Sequence, residues 1–267
     1  MEGSQRKLQK HSRRSLVERA ASFAGAAMLS CVSLAAAPQK TPAPPIRPPI
    51  PESKSTPAQP PTPSPAPATA PSPPAAQPTP EEAAACLARL SENGVVAESV
   101  PAPPTPLPDC SSANPVRMSV IHLASGATLD LPGKPIVNCA FALVFTDYAR
   151  NLLAPLAASM LGSPAVSLDT GPAYECRPRN HVAGAKTSAH GKGIAIDLAG
   201  IILADHRRIG IAHQADASET LFLHTMRQAA CGWFTTVLGP GSDPSHAEHL
   251  HFDILQHGSS DHYRICE

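Results

Sequence analysis

Two short segments of the chain place side chains that can bind metal ions on one face of a strand. Residues 193–201 alternate in character, with Asp197 on the face that carries small side chains. Residues 249–255 alternate in the same way and put His249 and His251 on one face. Because successive side chains of a strand point to opposite faces, each segment has an apolar face for a core and a second face for ligands. If the two strands pair, Asp197, His249 and His251 lie on one surface.

A further histidine, His190, precedes the first of these strands. It lies in the sequence Ser188-Ala-His-Gly-Lys-Gly193, whose glycines permit tight turns, and we expect it to approach Asp197 from the entry of the strand. Two imidazoles and one carboxylate with an open fourth position form a catalytic zinc site, which lowers the pKa of bound water from 15.7 to about 7. Asp253 is either a hydrogen-bond partner of a ligand histidine or a solvated strand residue.

The same residues belong to ordered motifs that resemble known families. Ser188-x-His190-x-x-Gly193-x-Ala195-x-Asp197, followed by Glu248-His249-x-His251, resembles the zinc peptidases of the D-Ala-D-Ala metallopeptidase, lysostaphin and hedgehog group. More closely, the chain resembles the extensin-like C-terminal domain family over roughly residues 83–267, through Tyr174-Glu-Cys176-Arg177, Ser188-Ala-His190, Ala195-Ile-Asp197-Leu-Ala-Gly, Ala230-Cys231, Val237-Leu-Gly-Pro240 and His249-Leu-His251-Phe-Asp253.

The resemblance implies a role for each residue of the site. It implies that His190, Asp197 and His251 bind Zn²⁺. It favours Glu248 as the catalytic base and His249 as the group that stabilises the transition state. The strand alternation puts His249, and not Glu248, on the ligand face, so Glu248 needs a bend just before the strand, and both residues remain candidates for the base.

Three further residues are candidates for contact with a substrate. Arg177 matches a polar position around the substrate and is expected to bind a carboxylate by bidentate hydrogen bonds, or else to be an ordinary ion-pair partner. Ser188 matches another such position. Tyr174 either stacks in the cleft or packs near Cys176.

The function that the resemblance implies is zinc-dependent hydrolysis of amide bonds in peptidoglycan stem peptides or cross-links, of the D-Ala-D-Ala carboxypeptidase or endopeptidase type. Two alternatives belong to other classes. One is a non-enzymatic module that binds zinc or the cell wall, and the other is a structural wall protein whose important part is its proline-rich segment.

The elements that must position these residues indicate an α+β fold. Apolar residues at helical spacing predict helices over residues 81–92, 140–161 and 218–230. We expect a small antiparallel sheet bearing the zinc site, packed by helices, as in hedgehog and D-Ala-D-Ala peptidases. We also expect three disulfides that staple the domain, with all pairings open, from six cysteines: Cys86, Cys110, Cys139, Cys176, Cys231 and Cys266.

The N-terminal third has a different composition. Of 32 prolines in 267 residues, 18 fall between Pro38 and Pro80, so residues 38–80 predict a disordered tether that cannot bury a core. Residues 1–37 have a basic start, an uncharged middle and a small-residue end, which predicts a signal peptide cleaved after Ala37. An uncleaved membrane anchor and a lipoprotein modified at Cys31 are the alternatives.

These boundaries leave residues 81–267 as the folded domain. The signal and the cysteines predict a secreted or periplasmic protein, which contacts a membrane only through an N-terminal anchor. The formal net charge is zero, so the chain has no basic footprint for nucleic acid. The expected partner is peptidoglycan or its peptides.

Overall fold

The computed structural model describes residues 79–103, 107, 109–259 and 263–267. The predictions of a signal peptide or anchor over residues 1–37 and of a tether over residues 38–78 fall outside the described residues. The last two residues of the predicted tether, Thr79 and Pro80, instead form the start of the first helix.

Three helical segments of the described chain lie where the sequence predicts them. They are α1 (Pro80–Glu92), a long segment composed of α2 (Cys139–Tyr148), a π turn (Ala149–Leu153) and α3 (Ala154–Leu161), and α4 (Ala217–Ala230). α1 begins with a capping box, in which Thr79 and Glu82 each accept a hydrogen bond from the other's backbone N–H. Asp216 caps α4 by accepting from the N–H groups of Ser218 and Glu219.

The long helical segment is continuous but not uniformly α-helical. The π turn at Ala149–Leu153 comes just before Pro155. Proline has no N–H for the carbonyl four residues earlier, and the wider turn accommodates the missing hydrogen bond. No helix in the described part of the chain combines the length and apolar character needed to cross a membrane.

Ten strands of the described residues form one mixed sheet. They are β1 (Val95–Ser99), β2 (Pro115–His122), β3 (Thr128–Asp130), β4 (Ile136–Asn138), β5 (Ala165–Thr170), β6 (Ala195–Leu203), β7 (Arg208–Gly210), β8 (Thr236–Leu238), β9 (Leu250–Asp253) and β10 (Ile265–Cys266). Their order is β1-β2-β3-β5-β6-β9-β8-β10, with β4 paired to β2 and β7 to β6. β3 and β5 pair in parallel, as do β8 and β10. The sheet is therefore larger than the small antiparallel sheet predicted, because strands of two or three residues are too short to show alternation.

The apolar face of β9 fixes this strand against the helices. Leu250 and Phe252 are 2% and 0% exposed. The Phe252 ring stacks on Phe234 with 4.8 Å between centroids and packs against Tyr148 of α2 at 5.4 Å. The core thus lies on one side of β9, and the opposite face is left for His251, as the alternation predicts.

β6 changes phase part of the way along its length. Ile196 and Leu198 are fully buried in the core, but Ile201 and Leu203 are as well. The register with β5 shifts so that Ala199 is an extra residue between two paired positions. Such a bulge moves the residues after it to the other face, so the predicted alternation holds only up to Ala199.

Three disulfides staple the domain, as predicted. They join Cys86 to Cys139, Cys110 to Cys176 and Cys231 to Cys266. The first ties α1 to α2, the second ties the segment before β2 to the loop that precedes His190, and the third ties the end of α4 to β10. The middle disulfide is the one that bears on the candidate site, because it anchors the loop that leads to His190.

Candidate metal centre

The pairing of β6 with β9 creates the centre of the site. The two strands are antiparallel, and Asp197 lies directly opposite His251. Asp197 is 8% exposed and His251 is 7% exposed, so both side chains are largely withdrawn from water. The sequence-based prediction that these two residues meet on the non-core face is therefore confirmed.

His190 reaches the pair from a short 3₁₀ helix, Ala189–Lys192, just before β6. The Ser188 hydroxyl caps this turn by accepting from the His190 N–H at 3.4 Å. Gly193 ends it with a left-handed φ of +66°, which a glycine adopts without the cost that a side chain would add. Ser188, predicted to contact a substrate, lines the cavity but is itself buried and caps the turn that carries His190.

Three side-chain atoms converge at this point. The His190 Nε2 atom lies 3.0 Å from His251 Nδ1 and 3.2 Å from Asp197 Oδ1. The His251 Nδ1 atom lies 3.0 Å from the same Asp197 oxygen. Each residue thus offers one ligand atom, and the three atoms are close enough together to hold a single metal ion.

Hydrogen bonds behind the two imidazoles determine which nitrogens face the centre with a lone pair. His190 Nδ1 lies 2.7 Å from the carbonyl oxygen of Ala173, which can only accept, so this nitrogen carries the proton. His251 Nε2 lies 3.0 Å from a carboxylate oxygen of Asp253 and donates to it. In the neutral histidines, the other two nitrogens are therefore acceptors that face the Asp197 carboxylate, and only a cation can satisfy all three groups.

The charges of the centre are consistent with this requirement. Burial opposes a charged His251, but its hydrogen bonds with Asp197 and Asp253 outweigh burial and raise its pKa to about 9. Burial also opposes a charged Asp197, yet the adjacent His190 and His251 side chains hold the pKa of this carboxyl well below its usual range. Without a metal ion, a proton is the cation that the centre retains near neutral pH.

Asp253 is a fixed partner of a candidate ligand and not a solvated strand residue. It is 4% exposed. One of its oxygens accepts from His251, and the other accepts from the backbone N–H of Leu255 at 2.9 Å. Burial alone would raise the pKa of Asp253, but the hydrogen bond with His251 lowers it, so the group is a carboxylate. Such a partner fixes the tautomer and orientation of a ligand histidine.

Two other histidines lie beside the centre. His249 Nε2 is 3.5 Å from Asp197 Oδ1, and burial lowers the pKa of His249. His246 is buried, with its ring 5.3 Å from that of His249 and 5.5 Å from that of His251. His246 Nδ1 also lies 2.9 Å from an Asp243 carboxylate oxygen. Sequence analysis did not select His246, because it stands in an irregular segment without a period that would give its direction.

The other residues that the sequence suggested for the site differ in whether they line the cavity: Glu248 and Arg177 do, and Tyr174 does not. Glu248 is exposed and lines the same cavity as the centre. Arg177 also lines it, and its Nε donates to the Glu175 carboxylate at 2.7 Å. Tyr174 is not among the residues that line the cavity, and its buried hydroxyl has no hydrogen-bond partner in the described part of the chain. Burial raises the pKa of Tyr174, so its position agrees with the packing alternative.

The cavity over the centre has a volume of about 1000 Å³. Besides the candidate ligands, it is lined by three arginines, Arg177, Arg179 and Arg208, and by Glu248 and His249. Ligand sites of proteins usually enclose about 300–1000 Å³, so this cavity is large enough for a peptide of a few residues.

A comparison with protein families gives one match. The model of a family described as Extensin-like protein C-terminus matches residues 84–267, which is well over half of the chain. The match includes the strands that carry the centre and all three disulfides. The searches of curated proteins and of solved structures found no match.

Proposed function

We propose that the folded domain of this chain, which belongs to the extensin-like protein C-terminus family, is a zinc peptidase. The proposed reaction is hydrolysis of amide bonds in peptidoglycan stem peptides or cross-links. The observation that carries the proposal is the convergence of His190, Asp197 and His251 within 3.2 Å at the wall of a large cavity. The substrate class rests on the resemblance of the sequence motifs to D-Ala-D-Ala and lysostaphin-type peptidases.

The donor set and its spacing support zinc as the metal. Ligand bonds of about 2.0–2.1 Å in a tetrahedral zinc site put neighbouring ligand atoms about 3.3 Å apart. The three donor atoms of this centre are separated by 3.0–3.2 Å. Three protein ligands also leave the fourth position that a catalytic site requires. The hydrogen bonds from His190 to Ala173 and from His251 to Asp253 hold both imidazoles in the tautomers that would bind the ion.

Held by His190, Asp197 and His251, a zinc ion would supply Lewis-acid chemistry, since it would polarise a carbonyl oxygen and make water a nucleophile near neutral pH. The protein's own residues then handle protons and charge. Glu248 removes a proton from the attacking water and returns it to the amine that leaves. His249, adjacent to Asp197, donates a hydrogen bond to the oxygen on which negative charge develops. Its lowered pKa keeps His249 a neutral imidazole near pH 7.

Digestion of purified peptidoglycan tests the proposal. The wild-type chain is incubated with the polymer, with and without a chelator, and the soluble products are identified by mass spectrometry. We expect loss of terminal D-alanine or of cross-linked dimers, abolished by the chelator and restored by zinc. Asp197→Asn is the matched control, since it keeps the shape of the side chain but removes the ligand charge. Absence of products from a zinc-loaded wild-type chain would contradict the proposal.

A non-enzymatic zinc- or wall-binding module is the second candidate. The observation that favours it is the exposure of Glu248, which is the carboxylate proposed as the catalytic base. Stoichiometric zinc and retention on peptidoglycan without released products would support this alternative.

The three disulfides favour an oxidising compartment, so we propose that the protein acts outside the cytoplasm, in the periplasm or after secretion.

A further inference from the structure

A glycine pair on neighbouring strands supports one arginine of the cavity. Gly200 of β6 pairs with Gly210 of β7. A Cβ atom at Gly200 would lie 2.8 Å from the guanidinium carbon of Arg208, and one at Gly210 would lie 3.0 Å from its Nη1 atom. The φ angles of neither glycine are left-handed. Glycine is therefore favoured at these two positions because the guanidinium lies against them, and not because the backbone conformation requires it.

Two acceptors hold the guanidinium in this place. Arg208 Nη2 donates to the Asp169 carboxylate and to the Ala199 carbonyl oxygen. A guanidinium has five N–H donors, and Nε and Nη1 have no hydrogen-bond partner in the part of the chain that the structure describes. The Arg208 side chain is 48% exposed and lines the same cavity as His190, Asp197 and His251. The arginine is thus fixed on one side and open to the cavity on the other.

The position of Arg208 relative to the metal centre sets the kind of ligand it can reach. Ala199, whose carbonyl oxygen accepts from the guanidinium, follows Asp197 by two residues in β6, so the arginine and the centre lie on the same stretch of this strand. An extended peptide advances about 3.4 Å per residue. A C-terminal carboxylate on the residue that follows an amide bound at the centre would therefore meet the free edge of the guanidinium.

We propose that Arg208, seated on Gly200 and Gly210, binds the α-carboxylate of a peptide whose adjacent amide lies at the His190–Asp197–His251 centre. This inference rests on the proposed function for the identity of the ligand, and it deepens that function toward a carboxypeptidase. Arg177, which the sequence suggests for this role, is 16% exposed and bonded through Nε to Glu175, so it presents less of its guanidinium to the cavity.

Binding of matched peptides to the metal-free chain tests this proposal apart from catalysis. The probes are N-acetyl-Lys-D-Ala-D-Ala and its C-terminal carboxamide, titrated into the chelator-treated full chain with binding followed by ligand NMR. We expect the wild-type chain to bind the acid about tenfold more tightly than the amide, the effect of a charge-assisted hydrogen-bonded pair. Arg208→Ala should reduce this preference to less than about twofold.

The glycine pair provides a second variant that keeps the arginine. Gly200→Ala places a methyl group against a flexible guanidinium and should also reduce the preference. Arg208→Lys keeps the positive charge but not the planar guanidinium, so this variant should retain only part of the preference for the acid. Arg117→Ala is the matched control, because Arg117 is also a strand arginine paired with a carboxylate, Glu98, but does not line the cavity. It should keep the full preference.

The outcomes separate this inference from the proposed function. If Arg208→Ala is folded by its melting curve and keeps the preference, the inference is overturned, and a wild-type chain that binds both peptides equally or neither overturns it as well. If Arg208→Ala does not fold, the same test is applied to Arg208→Lys and Gly200→Ala, and the inference is overturned if both keep the full preference for the acid. A preference for the acid that is lost in the variants, together with no hydrolysis by the zinc-loaded wild-type chain, supports the binding role of Arg208 and removes only the peptidase proposal.

Discussion

In the proposed metal centre, a proton and a metal ion would compete for the same atoms of His190, Asp197 and His251. Three acceptors face one another in a buried place, because His190 donates its N–H to the Ala173 carbonyl and His251 donates its N–H to the Asp253 carboxylate, so neither neutral imidazole turns a donor toward the centre. This arrangement costs free energy unless a cation is present. The chemistry of the site therefore depends on Ala173 and Asp253, which accept hydrogen bonds from the two imidazoles, as much as on the three side chains themselves.

Metal binding should release a proton. The pKa of His251 is about 9 in the metal-free centre, so this group is protonated at pH 7 and must lose its proton when a metal binds. As the pH falls below this pKa the proton is held more tightly, and apparent zinc affinity should decrease about tenfold per pH unit. Calorimetric titration with zinc in buffers of different ionisation enthalpy measures the release, which should be about one proton per zinc at pH 7. A release of zero protons would show that this description of the centre is wrong.

The choice of base is tested by two variants. Glu248→Gln should reduce peptide hydrolysis by about 10²–10⁴-fold with zinc content unchanged, because a general base contributes that much. His249→Ala should also reduce the rate, because it removes the group that stabilises the developing negative charge. Rates on peptidoglycan fragments between pH 5 and 9 make the comparison. Full activity of Glu248→Gln would transfer the role of base to His249.

Among individual residues, the sequence indicates the candidate ligands but not the groups that surround them. Asp197 and His251 follow from alternation along two strands, because a period of two fixes the direction of a side chain. The carbonyl group of Ala173 has no sequence signal, since every residue carries one. His246 was missed for a related reason, as a short 3₁₀ helix such as Pro244–His246 has too few residues to show a pattern.

At the scale of elements, the turn between Ser188 and Gly193 determines where His190 points. A Cβ at Gly193 would contact the Ser112 hydroxyl and lie 3.1 Å from the Asn138 nitrogen, whose N–H donates to the Gly193 carbonyl. The left-handed φ adds strain for any other residue. The turn is thus held between β6 and the start of α2, and it cannot relax easily.

Gly193→Ala should therefore lower the free energy of unfolding by about 1–3 kcal/mol and weaken metal binding. Urea unfolding and zinc titration measure the two effects. Gly184→Ala is the matched control, because Gly184 also has a positive φ of +78° but open space around its Cα. That variant should show a smaller loss of stability and unchanged zinc affinity. If both variants bind zinc like the wild-type chain, the turn does not position His190.

Long elements could be predicted from the sequence and short ones could not. The helix over residues 140–161 has enough turns for its apolar spacing to be clear, although the π turn before Pro155 leaves no trace in that spacing. β3, β4, β7 and β8 have three residues each. Such strands depend on pairing with distant parts of the chain, so the extent of the mixed sheet could not be read from local patterns.

For the whole molecule, the three disulfides and the predicted signal peptide over residues 1–37 both bear on export from the cytoplasm. Three disulfides favour folding in an oxidising compartment, in agreement with the proposed location outside the cytoplasm. If residues 1–37 are a signal peptide cleaved after Ala37, the mature chain begins at Pro38. N-terminal sequencing of the exported protein tests this. Retention of the leader would favour the membrane anchor, and a lipid on Cys31 would favour the lipoprotein.

His190, Asp197 and His251 are proposed to hold one zinc ion. The most direct test is elemental analysis by mass spectrometry of the purified wild-type chain and of Asp197→Asn, each dialysed against the same dilute zinc buffer. We expect about one zinc per wild-type chain and a strongly reduced content in the variant, with far-ultraviolet circular dichroism unchanged, since a catalytic zinc site needs all three protein ligands. A wild-type chain without zinc, or equal zinc in both proteins, would contradict this proposal.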